Sequence, residues 1–201
     1  MQIKSWIILN LLSEWLKKTA LHTANLRFSL IFLLLFKTTV FAQTIWKVEP
    51  TSEIKFTIKN MGVSVEGKFK NFVAHIKFDP DHLDQSEIEG IVYANSIDTD
   101  ISARDRHLRD EEYFYVAKYP QITFKSAQIF KHQNYYIARG TLTMKNVKKE
   151  ILIPFYFTPN QDNKARFSSS FSLNRLDYNV GGKSLMLSND VNVKLEIQAT
   201  K

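Results

Sequence analysis

From Ile54 to Lys59 apolar and polar residues alternate without interruption: Ile54, Phe56 and Ile58 on one side, Lys55, Thr57 and Lys59 on the other. A period of two places these sets on opposite faces of a β-strand, one dry and one wet. The same code recurs as far as Ile197. Trp46 and Val48 open a first strand, which Pro50-Thr51 ends, and residues 53–59 form the second. Asn60-Met61-Gly62 turns the chain into a strand over 63–69. Phe72, Ala74, Ile76 and Phe78 continue the period, but the phase slips at Lys70-Asn71. That slip predicts a bulge or a sharp bend in one long curved strand. Asp79-Pro80-Asp81 is a turn signal, and residues 88–97 read as another strand.

The code then changes. Ser102-Ala103-Arg104-Asp105 has the form of a capping box with Asp in place of the usual Glu, and predicts a short helix near 103–112. Tyr119-Pro120 breaks the chain before a strand over 121–130. Residues 135–145 and 147–158 read as a hairpin around Asn146, and 165–174 and 188–199 complete the pattern. The chain is therefore mainly β, with about eight antiparallel strands sharing one apolar face, plus one short helix. Such a sheet closes into a barrel. Alternation alone does not separate a barrel packed solid with side chains from one that holds a ligand.

Composition narrows this picture. Of 201 residues 44% are hydrophobic and 13% aromatic, enough for one domain with a real core. The chain has no cysteine, which excludes disulfides, thiolate metal sites, a catalytic thiol and a lipid-modified cysteine. The first 42 residues read as an export signal with a long n-region, compatible with an over-extended start or, alternatively, an uncleaved anchor. Phe28 to Phe36 is an apolar run following Arg27, and Val40-Phe41-Ala42 offers small residues where a signal peptidase reads. Cleavage is expected after Ala42, giving a periplasmic or secreted protein with no stable membrane span, its single domain running over 43–201. Five of the 27 basic residues and one of the 20 acidic ones precede residue 43, so the remainder carries a net charge of +3 (22 against 19). That is a solubility feature and not a nucleic-acid footprint.

The candidate chemistry is mostly apolar. Inward faces are expected to carry Ile54, Phe56 and Ile58; Phe69, Phe72 and Ile76; Ile122 and Phe124; Leu142 and Met144; Ile151, Ile153 and Phe155; Phe171 and Leu173; Val193 and Leu195. Four histidines follow the leader (His75, His82, His107 and His132), and none forms a close pair with metal-ligand spacing. Residues 79–84 (DPDHLD) look superficially like a calcium loop, but Leu83 and Asp84 occupy the wrong places and Gly90 falls where a bidentate Glu belongs. Ser168, Ser170 and Ser172 sit on the wet face, with no strand-turn-helix elbow around them, so no catalytic residue is assigned. Gly181-Gly182 lacks the spacing of a phosphate loop. The mixed-charge helix reads either as a solvated, salt-bridged element or as a lid that brings His107 or Arg109 to a rim. Arg175, just after Phe171 and Leu173, is expected to pair with Asp177; the other reading has it receive a phosphate or other ligand oxygen.

Four ordered phrases carry a resemblance: WKVEPTSEIKFTIKNMGVSVEGKF, RDRHLRDEEYFYVAKYPQITFKS, GTLTMKNVKKEILIPF and FSLNRLDYNVG. Together they resemble the YceI-like family of exported bacterial proteins over essentially all of 43–201. The resemblance implies an extended, lipocalin-like antiparallel barrel that binds a long apolar molecule, a polyisoprenoid or an isoprenoid quinone, with no other cofactor and no enzymatic activity. Asn60 stands where a His is common in the family, Asn146 replaces a turn Gly, and Lys149-Glu150 replaces a frequent Lys-Pro. With Asn60, His107, Arg109 and Arg175 as rim candidates, the expected partner is a hydrophobic small molecule (isoprenoid, quinone or fatty-acid-like). A homodimer is compatible with the sequence. A second reading is an envelope interaction module that docks to a membrane electron-transfer partner and encloses nothing.

Overall fold

The computed structural model describes residues 44–201; the expected leader and its cleavage point after Ala42 lie outside the described residues. The strands are β1 (Ile45–Val48), β2 (Glu53–Asn60), β3 (Val63–Phe69), β4 (Phe72–Lys77), β5 (Glu87–Tyr93) and β6 (Ile97–Asp98). After the helix α1 (Ser102–Arg109) come β7 (Gln121–His132), β8 (Tyr135–Met144), β9 (Val147–Pro159), β10 (Lys164–Asn174) and β11 (Leu187–Thr200). Every pairing is antiparallel, and neighbours run β4-β5-β7-β8-β9-β10-β11-β2-β3. Since β3 and β4 are joined only by Lys70-Asn71, they act as one bent stave that pairs with β2 along its first half and β5 along its second. The circle closes through that stave, giving an eight-staved antiparallel barrel with a single α-helix among the described residues.

The bend is stitched from outside. Lys70 N–H donates to the Ser96 carbonyl (3.1 Å) and Asn71 N–H to Ser96 Oγ (3.0 Å). The strand expected over 88–97 stops at Tyr93 for the same reason. Tyr93 N–H is taken by the Asn71 carbonyl and Ala94 N–H by that of Pro120, and a 3₁₀ turn then leads into β6, which pairs with β3. The helix also differs from expectation. It spans Ser102–Arg109, Ile101 occupies the N-cap, and no side chain caps it. Asp105 does not close a capping box, because its buried carboxylate accepts from both the N–H (2.9 Å) and the hydroxyl (2.5 Å) of Thr99. The β8–β9 hairpin forms as read, with Lys145 and Asn146 at φ 47° and 64°. Asn tolerates that left-handed conformation better than most residues.

The two ends of the barrel are built differently. At one end β1 spans the seam, pairing with both β4 and β11. Beneath it Phe78 is fully buried, with its ring edge-on to Tyr136, Phe155, Phe157 and Phe167 at 5.0–5.7 Å. Trp46 closes over this cluster and donates its indole N–H to the Phe78 carbonyl (2.9 Å). The opposite end carries the β2–β3, β8–β9 and β10–β11 connections together with α1. There the inward residues of β2, β3, β10 and β11 are only half-buried, among them Phe56, Ile58, Phe69, Phe171, Leu173 and Val193. Inward-facing apolar side chains that keep free surface mark a barrel wall and not a filled core.

Candidate functional site

Two adjoining cavities occupy the interior. The inner one, about 200 Å³, lies against the aromatic plug. Ile54, Phe69, Phe72, Ile76, Ile122, Phe124, Leu142, Met144, Ile153, Phe155, Phe171 and Leu173 line it, with Ser169, Val193 and Leu195 among its remaining walls. Its polar content is slight, and the Ser169 hydroxyl is already committed to the Pro154 carbonyl. The outer cavity, about 440 Å³, shares Phe69, Ile122, Met144, Leu173 and Val193 with the inner one and opens beside α1. Phe56 and Ile58 belong to this outer chamber. Ile151 lines neither and packs against the buried cluster that includes Leu142 and Tyr178. The outer cavity matches the size and apolar character of small-molecule sites, which run from about 300 to 1,000 Å³, and the smaller inner one extends it toward the plug.

A glycine shapes the wall of the outer chamber. Gly67 faces Phe56 across the β2–β3 ladder, and a Cβ at Gly67 would sit 2.3 Å from the Phe56 ring. The ring therefore lies over bare backbone, tilted by 45° against the Phe69 ring at 5.6 Å. Gly140 performs a related service in β8. A Cβ there would meet the Lys125 carbonyl at 2.3 Å, because β7 bulges between Ser126 and Gln128 opposite it.

Polar groups gather at the outer mouth. Asn60 and His107 border the chamber and are exposed. His107 rests against the Tyr113 ring (5.0 Å), with Glu112 and Asp110 at 3.7 and 3.9 Å. Arg104 also borders it, donating to the Thr99 hydroxyl (2.8 Å) and carbonyl (2.6 Å), which joins the helix to the buried Thr99–Asp105 pair. Arg109 is turned the other way. It clamps α1 by donating to the carbonyls of Asn95 and Ile97 (2.9 Å each) and lines neither chamber.

Arg175 departs from its expected pairing. Asp177 is bound by Lys149 (3.0 Å), not by Arg175. Arg175 is 5% exposed and borders the outer chamber. Nε donates to the Ser188 carbonyl and Nη1 to that of Val180 (2.9 Å each), while Nη2 makes only long contacts of 3.4 Å with the Leu187 carbonyl and Asn189 Oδ1. Among the described residues no carboxylate pairs with it. A guanidinium has five N–H donors, so capacity remains for an oxygen brought into the chamber. Nearby, burial and then the Asp177 charge push the Tyr178 hydroxyl pKa up. Burial likewise lowers that of Lys145, whose ammonium donates to the carbonyls of Asn179 (2.7 Å) and Glu111 (3.0 Å).

Alternation did not reveal Leu108, Tyr113, Phe114, Tyr178 and Val180, which also border the outer chamber. They come from the helix and connecting loops, where no period of two exists. Val65 and Val191 were open to the same reasoning, since each sits at an inward strand position. A broader groove of about 1320 Å³ runs over the outside of β1, β4 and β5. Its walls mix Lys47, Lys77, Glu87, Glu89 and Lys125 with Val73 and Tyr93, so it is a charged surface trough and not an interior site. Among the described residues no helix is long and apolar enough to cross a membrane.

Fold and site together define a closed, lipocalin-like barrel with an apolar interior and a polar-edged mouth. The YceI-like domain profile matches residues 46–199, and the chain belongs to that family. It is 28% identical over 154 residues to a UPF0312 protein of Yersinia enterocolitica, an alignment covering 74% of this chain and 80% of that one. Among solved structures it is similar to Burkholderia cenocepacia BcnA (TM-score 0.74, 27% identity, 77% of this chain and 100% of that one). It is also similar to a Campylobacter jejuni YCEI protein (TM-score 0.62, 28% identity, 68% and 85%). A polyisoprenoid binding domain from Saccharophagus degradans shares the fold at 14% identity (TM-score 0.61, 79% and 98%).

Proposed function

We propose that this protein is an exported carrier that sequesters a long-chain isoprenoid lipid, an isoprenoid quinone or a similar amphiphile inside its barrel. The observation that supports this most is the pair of adjoining apolar chambers, walled by half-buried aromatic and aliphatic side chains where a packed core would bury them. A chain threaded through both would gain about 25 cal/mol for each Å² taken from water, so a few hundred Å² gives firm retention. The fold shared with a polyisoprenoid binding domain is consistent with such a guest. The head group would lie in the outer chamber, where Arg175 has spare donors and no carboxylate partner among the described residues. The mechanism is burial and release, with no bond made or broken. Export through the leader over 1–42 suits it, because a free polyprenyl chain is nearly insoluble in an aqueous compartment.

The test is native mass spectrometry of protein purified without detergent from the cells that make it. A bound mass that organic extraction removes, and that added polyprenyl lipid or quinone restores, supports the carrier. Protein that arrives bare and also refuses both additives overturns it.

A further inference from the structure

The mouth of the outer chamber is not polar all the way round. Between the β2–β3 turn and the loop that precedes β11, Met61, Val63, Leu185 and Met186 are 71, 67, 107 and 61% exposed. They form one patch. Met61 N–H donates to the Met186 carbonyl (2.7 Å), and Asn60 pairs with Val63 on one side and Leu187 on the other. Met186 also lines the outer chamber, so the apolar lining runs out over the lip onto the surface. Single exposed apolar residues are ordinary, but four on two adjoining tips at a cavity mouth mark an interaction surface. Lys59 and Lys183 flank the patch, and neither has an ion pair among the described residues. Glu112, whose carbonyl accepts from Gly181 N–H, has its carboxylate beside His107.

We infer that this lip is the surface by which the protein seats on an anionic lipid bilayer, its chamber mouth turned to the membrane. The inference rests on the carrier reading and gives it a route of loading. Leu185, Met61 and Val63 would enter the boundary between head groups and acyl chains, while the two lysines stay among the phosphates. A guest could then pass between bilayer and chamber without exposing its chain to water.

The experiment measures two quantities on the same protein, expressed from its complete gene and purified as the cells leave it. One is co-sedimentation with phosphatidylcholine vesicles, with and without phosphatidylglycerol, at low and high salt. The other is retention of a fluorescent polyprenyl probe in vesicle-free buffer. Leu185→Asp and Met61→Asp lie outside both chambers and should keep probe retention and the circular dichroism spectrum of the parent. Vesicle association should fall at least tenfold in each. Lys183→Gln should lower association with phosphatidylglycerol vesicles alone, roughly fivefold, as expected for one lysine near a charged membrane surface. Wild-type protein that retains the probe but ignores vesicles, or variants that sediment like the parent, would overturn the docking and leave the carrier standing. Vesicle association lost in the variants, with no probe retained by any form, would keep the docking and sink the carrier. A wild-type dimer that Leu185→Asp converts to monomer, without vesicle association in either, would assign the patch to a second copy of the chain and overturn the proposal.

Discussion

Truncating one phenylalanine at each end of the barrel should separate a packed core from a cavity wall. Phe78 is fully buried among four other rings, with centroids 5.0–5.7 Å away. Phe78→Ala removes that packing and leaves a void the surrounding strands cannot collapse, so a loss of about 3–5 kcal/mol is expected. Phe171 sits on the same kind of inward position in β10 but borders the inner chamber, so one side of its ring already lacks partner atoms. Dispersion scales with contacts actually made, and Phe171→Ala in lipid-free protein should cost only about 1–2 kcal/mol. The assay is urea unfolding of extracted protein, followed by tryptophan fluorescence and far-ultraviolet circular dichroism. Repeating it with saturating prenyl lipid adds a second readout, because a ligand at a hundred times its dissociation constant stabilises the folded state by about 2.7 kcal/mol. That increment should survive Phe78→Ala, where the protein still folds, and shrink in Phe171→Ala. Equal losses for the two variants in lipid-free protein would mean that the barrel is filled at both ends, and the cavity argument would fail.

Two further outcomes follow from the geometry. Gly67→Val drives a side chain into the Phe56 ring and pushes that ring across the outer chamber; prenyl-probe affinity should drop more than tenfold while the unfolding midpoint moves little, and an unchanged affinity would show that the guest does not pass Phe56. The second concerns acid. The Asp98 carboxyl is held below its ordinary value by the Lys70 ammonium and then by Asp100 N–H, and that of Asp79 by Asp81 N–H and then by His82. A folded-state pKa below the unfolded one gives stability that is present above about pH 4 and is lost as pH falls through the lower folded value. Urea midpoints of the wild type should therefore drop below about pH 4, and the gap to Asp98→Asn should close there. A gap that stays constant down to pH 2 would rule out the Lys70–Asp98 pairing as its cause.

What could be read from the chain follows from what a period of two encodes. It gives the face of each residue on a strand, so the staves, the hairpin at Asn146 and the inward set from Ile54 to Leu195 were legible. The slip at Lys70-Asn71 was legible too, as a bend in one curved strand, and that bend closes the barrel. Long-range backbone bonds were not. Tyr93 leaves its strand because Asn71 and Pro120, remote in sequence, accept from it and its neighbour. Asp105 has the spacing of a cap, but a cap competes with any nearer donor pair, and Thr99 offers both its N–H and its hydroxyl. Arg175 and Asp177 are two residues apart in a 3₁₀ turn, which points the two side chains to different sides, one buried and one exposed. Contributions to the mouth from Leu108, Phe114 and Val180 depend on how α1 and the loops dock, which no local pattern carries.

The uneven packing has a consequence for how such a barrel stays folded around a cavity. Inward residues without partners on one side return less free energy than the same residues in a dense core, so a barrel hollow throughout would be marginal. Here the deficit is confined to one end. The other end concentrates Trp46, Phe78, Tyr136, Phe155, Phe157 and Phe167 in mutual contact, and β1 ties the seam between β4 and β11 above them. Stability is thereby drawn largely from residues behind the chambers, since of these six only Phe155 and Phe167 border the inner one. The mouth is left to loops with few buried contacts, which open at lower cost than core strands. Local opening at residues 181–186, where Gly181 adopts φ 67° and the next five residues are exposed, would widen the outer chamber without disturbing the plug. Exchange of a long guest then requires only the mouth to loosen, and backbone amides of that loop should exchange with solvent far faster than those of β8 and β9.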